Sequence, residues 1–85
     1  MDSEKIYEYT KMLTPLSDMA ILLDVPESDL RDKIFDDTPE GKAYRKAKAD
    51  VALEIRRRDI ELAEAGSPSA AEKVHQHYIT MLSDE

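Results

Sequence analysis

Leu16-Ser-Asp-Met-Ala-Ile-Leu-Leu-Asp-Val-Pro-Glu-Ser-Asp-Leu30 is the stretch whose reading decides the fold. Leu16, Met19, Ala20 and Leu23 recur at helical spacing, predicting a helix over about Pro15–Leu23. Asp24-Val25-Pro26 breaks it, and proline opens a second helix in which Leu30 and Ile34 share a face. Ala20 is small where the two helices would cross, and Val25 is apolar just after the turn. This is the pattern of a helix-turn-helix over Leu16–Phe35. Many such turns carry glycine where Asp24 stands, because the backbone there is left-handed; aspartate tolerates that region better than most residues. In a DNA reader the exposed side of the second helix enters the major groove beside phosphates. Here that side offers Glu27, Asp29, Asp32, Asp36 and Asp37 against Arg31 and Lys33. The motif argues for DNA and the charge argues against it.

Working outward, every strong signal is helical. Ser3 is the expected cap of a first helix carrying Ile6, Tyr9, Met12 and Leu13. Thr14-Pro15 stops it and starts the next, since threonine accepts from an orphan N–H and proline has none to leave orphaned. Thr38-Pro39-Glu40 repeats the signal, and after Gly41 no breaker occurs before Ala65. The expected helix of roughly 25 residues is about 40 Å long. Tyr44, Ala47, Val51, Ile55 and Leu62 trace its stripe, widened by Ala43, Ala52 and Ala63. Gly66 is the natural C-cap, and Ser67-Pro68 opens a last helix with Ala71, Val74, Tyr78, Ile79, Met81 and Leu82 as its apolar set. The expected fold is all-α and a single domain over 1–85. A tri-helical helix-turn-helix unit (1–37) is followed by a long helix and a closing C-terminal helix, an antiparallel hairpin (38–85).

Composition narrows the function classes. The 85 residues suffice for one small core, and 41% hydrophobic content at regular spacing argues against disorder. There is no cysteine, hence no disulfide and no thiolate metal site. No apolar run approaches the ~20 residues of a membrane span, and Met1-Asp-Ser-Glu lacks the basic and apolar regions of a signal peptide, so a cytoplasmic protein is expected. The net charge of −7 would repel nucleic acid on average. Its distribution is uneven: residues 1–37 carry −6, residues 38–58 carry +4 and residues 59–85 carry −5.

Three sets of side chains are candidates for function. Lys42, Arg45, Lys46 and Lys48 cluster in the first turns of the long helix, with Lys42, Arg45 and Lys46 on one face. Lys42, Arg45 and Lys46, together with Arg31 and Lys33, would supply phosphate contacts to double-stranded DNA, and Ser28 a base contact. The alternative is that these cations pair with the acidic helices. Arg56, Arg57 and Arg58 cannot share one helix face, so at least one should meet an acidic or oligomeric partner. Leu53 and Ile60 lie seven apart, off the main stripe, on a helix longer than the roughly 30 Å breadth of so small a domain. Leu53, Arg56, Arg57 and Ile60 are therefore the expected self-association surface of a homo-oligomer. His75 and His77 point in nearly opposite directions and cannot chelate one metal. No nucleophile–base pair, glycine-rich phosphate loop or paired Glu-x-x-His occurs, so neither an enzyme nor a cofactor is expected.

The order of parts, with Ala20, Val25 and Leu30 in the N-terminal unit and Ala63-Glu-Ala-Gly-Ser-Pro68 joining an Arg- and Leu-rich helix to a final one, resembles small terminase subunits and related prophage proteins. That resemblance implies recognition of viral DNA, assembly into a ring and delivery of DNA to a large ATP-driven subunit. The competing expectation is a protein–protein interaction module. In it the helix-turn-helix is only a scaffold and the acidic helix docks a basic partner.

Overall fold

The computed structural model describes residues 1–85 and is all-α: α1 (Ser3–Lys11), α2 (Leu16–Leu23), α3 (Glu27–Ile34), α4 (Pro39–Glu64) and α5 (Pro68–Ser83). The chain divides into two compact units, Met1–Val51 and Ala52–Glu85. The division falls inside α4 rather than at the 37/38 junction, so about three and a half turns of that helix belong to the first unit.

The first unit has a closed core. Ile6 of α1, Met19 and Ala20 of α2, and Leu30 and Ile34 of α3 are buried together, with Tyr9, Leu16, Leu23, Val25, Ala43 and Tyr44 packed against them. Full burial of each large side chain contributes about 1.5–3 kcal/mol. Ala47 of α4 is also fully buried.

Local chemistry sets the helix ends, in places differently from expectation. Asp2, not Ser3, caps α1, its carboxylate accepting from the Glu4 and Lys5 backbone N–H groups at 3.0 and 3.3 Å. The helix stops at Lys11, and Leu13 turns left-handed (φ 64°). Met12 and Leu13 are thereby turned out to solvent instead of continuing the apolar stripe. Pro15 and Pro26 occupy the cap positions themselves, at φ −61° with extended ψ, and no side chain caps either helix. Their carbonyls receive the first helical bonds, from Met19 and from Leu30. Thr38 does cap: its hydroxyl accepts from the Gly41 N–H at 2.9 Å and donates to the Lys33 carbonyl.

Asp24 is left-handed (φ 57°, ψ 48°), and the Val25 N–H returns to the Ala20 carbonyl at 3.0 Å. The α2–α3 turn thus closes as a left-handed C-cap without glycine.

The second unit is the hairpin of Ala52–Glu64 against α5. Gly66 (φ 101°) makes its turn, with the Ser67 N–H bonded to the Leu62 carbonyl, and the Ser67 hydroxyl accepts from the Ala70 N–H at 3.3 Å. The seam is built of small residues: Ala70 and Asp59 are buried, and Ala52, Ala63, Val74 and His77 are half-buried.

This corrects the expected stripe. Ile55 and Leu62 are each 49% exposed, because the face that meets α5 is centred on Ala52, Asp59 and Ala63 and leaves them on its flank. In α5, Ala70 takes the buried position, while Ala71, Tyr78, Ile79, Met81 and Leu82 are exposed.

Candidate nucleic-acid interface and hairpin groove

Burial of Leu30 and Ile34 dictates what α3 shows to solvent. Ser28 and Asp32 lie opposite that buried pair, and Glu27, Asp29, Arg31 and Lys33 flank them; all six are exposed. Arg31 is engaged within its own helix, its Nε bonded to the Glu27 carboxylate at 3.0 Å across one turn. Lys33 contributes to the positive field at Glu40. That carboxyl is held below its ordinary range first by its own backbone N–H at the start of α4, and then by nearby cations and the Thr38 hydroxyl. The exposed side of α3 is net acidic, with Asp36 and Asp37 continuing it.

The basic cluster on α4 splits into two kinds. Lys42 and Arg45 are exposed with no ion-pair partner in the chain. Arg45 folds back toward Gly41, where an added Cβ would lie 3.2 Å from its Nη1. Lys46 is committed, its Nζ bonded to Asp50 at 2.6 Å. Asp50 also accepts the Tyr7 hydroxyl of α1. The three groups tune one another: the Lys46 and then the Tyr7 hydrogen bonds hold Asp50 below the usual carboxylate range. Its carboxylate in turn raises Tyr7 and Lys46. This network was not foreseen from the sequence, and the i,i+4 spacing of Lys46 and Asp50 was its one visible sign. Lys48 reaches over the Tyr44 ring, 5.2 Å from its centroid, and Phe35 meets the same ring edge-on.

The candidate self-association residues are brought together. Leu53, Arg56, Arg57 and Ile60 all line one open groove of about 1110 Å³ between the second-unit part of α4 and α5, faced by Val74, Tyr78 and Met81. Arg57 is bonded to Glu54 at 2.7 Å and approaches Glu61 at 3.9 Å, which raises its already high pKa. Arg56 and Glu64, on the same groove, have no ion-pair partner in the chain. Beneath it, His77 Nε2 meets the Asp59 carboxylate at 2.9 Å, a polar clasp across the seam. Nothing in the sequence reading sets Asp59 in a seam or pairs it with His77. Asp59 follows Ala52 by seven and precedes Ala63 by four, and that register places it on the buried face.

No group of three or more His, Asp or Glu side chains comes together that could hold a metal ion, and no helix is long and apolar enough to cross a membrane. Compared with known proteins, the chain matches no family model, no curated protein and no solved structure.

Proposed function

We propose that this protein is a non-enzymatic, DNA-associated adaptor of the phage or mobile-element kind. Its first unit touches duplex DNA and its hairpin joins it to other chains, among them further copies of itself and a larger motor-type subunit. The reading is carried by a single juxtaposition. A helix-turn-helix closed by left-handed Asp24, with Ser28 exposed on its second helix, shares one compact unit with the unpaired cations Lys42 and Arg45. Affinity would come mainly from these cations and Lys33, and the acidic residues of α3 would hold non-specific binding down.

Titration of fluorescent duplex DNA at low and at physiological salt tests this. Binding is expected to weaken with salt at a log–log slope of about −2 to −3, as two or three phosphate contacts require. Replacing Lys42, Arg45 and Lys46 together by Glu should abolish binding. The Lys42→Glu/Arg45→Glu pair should do nearly as much, because Lys46 is already held by Asp50. Unchanged affinity in the triple variant would remove these residues from the interface.

One observation favours a second reading. Arg31, the central cation of α3, is tied to Glu27, and the face around it is acidic. A well-folded protein that fails to bind DNA even at low salt would be a protein–protein module whose acidic α3 docks a basic partner.

A further inference from the structure

The hairpin is built inside out. Alanines and the Asp59–His77 clasp fill its seam, while Leu53, Ile60, Tyr78 and Met81 stand exposed around the groove beside it. A 34-residue pair of helices with no large apolar side chain fully buried lacks the core that stabilises small folds without help from another chain. The groove's charges indicate what covers it. Along α4 the order is Leu53, Arg56, Ile60, Glu64: an apolar centre with an unpaired cation four residues before it and an unpaired anion four residues after. Such a stripe is complementary to itself when reversed. A second α4 laid antiparallel, with its Ile60 on this Ile60, sets each Arg56 beside the other copy's Glu64.

We propose that the groove is the seat of a second copy of this chain. It forms a two-fold dimer in which each α4 lies in the other's groove, Ile60 stands at the axis, and Arg56 pairs with the partner subunit's Glu64. Tyr78 and Met81 close over the entering helix, and the contact becomes a four-helix bundle. The opposite flank of α4 places Ile55 and Leu62 around Arg58, with Glu54 one turn before that cation and Glu61 one turn after it, so its centre of charge is a cation between two anions and not an apolar residue between opposite charges. The inference rests on reading the hairpin as the association element, and not on contact with DNA.

The natural absence of cysteine permits a direct test. Cysteines at position 60 meet at the axis, so Ile60→Cys should oxidise to a covalent dimer. Cysteines introduced by Leu53→Cys would stand about 20 Å apart and should not link. Arg56→Glu and Glu64→Arg should each weaken the dimer about tenfold in sedimentation, with helix content retained. The double exchange should restore it to within about threefold. A wild-type mass of 9.7 kDa at all concentrations overturns both the dimer and the association reading of the hairpin. A larger assembly that neither links through position 60 nor responds to the charge exchange overturns the two-fold arrangement and leaves association through another surface.

Discussion

Gly41 sits where the first turn of α4 crosses the chain leaving α3. A Cβ there would collide with the Asp36 carbonyl oxygen and come within 2.8 Å of the Ile34 carbonyl oxygen, both backbone atoms that cannot swing aside. Gly41→Ala, favourable by helix propensity, should therefore destabilise the protein by about 1–3 kcal/mol, read as a lower urea midpoint. Asp50 supports a prediction of a different kind. Its folded pKa is depressed by Lys46 and Tyr7, so its contribution to stability is present above the ordinary carboxylate pKa and is lost as pH falls through the lower folded value. Asp50→Asn should therefore be less stable than the wild type at neutral pH. The two should converge in acid, once the pH has fallen through the depressed folded value and the wild-type carboxylate is also neutral. A gap that persists unchanged into acid would assign the loss to packing instead of charge.

Among the elements, α3 shows most clearly what the sequence could and could not say. Its limits, its buried pair Leu30 and Ile34 and its left-handed entry at Asp24 were all legible, because backbone conformation and apolar period are local properties. The helix order, the Thr38 cap and the Gly66 turn were legible for the same reason. Two neighbouring features were not. Whether Arg31 and Lys46 are free depends on rotamers and on which of several nearby carboxylates each one chooses, and spacing alone does not rank those choices. The rotational setting of α4 against α5 also escaped. Ile55 and Leu62 satisfy a helical stripe as well as Ala52, Asp59 and Ala63 do, and only close approach of the two backbones selects the smaller set. At this scale the DNA titration is decisive for the first turns of α4, where Lys42 and Arg45 remain without partners.

At the scale of the whole molecule the two units differ in what stabilises them. The first encloses Ile6, Met19, Leu30 and Ile34 completely, while the second buries Ala70 and Asp59 and leaves its large apolar side chains outside. Amide hydrogen exchange should follow that division. Protection in α2 and α3 should be high and independent of protein concentration, whereas protection in α5 should be lower and rise with concentration as the groove fills. Equal, concentration-independent protection in both units would contradict a hairpin completed by a second copy. The placement of the tyrosines turns this division into an optical one. Tyr7, Tyr9 and Tyr44 belong to the first unit, Tyr78 alone belongs to the second, and no tryptophan masks them. Tyr78 stands on the groove wall, while the Tyr7 hydroxyl donates to the Asp50 carboxylate within the first unit. The chain thus carries a built-in ultraviolet reporter. Replacing Tyr78 by Phe silences the signal of the hairpin, and the difference from the wild-type spectrum follows that unit without any attached dye.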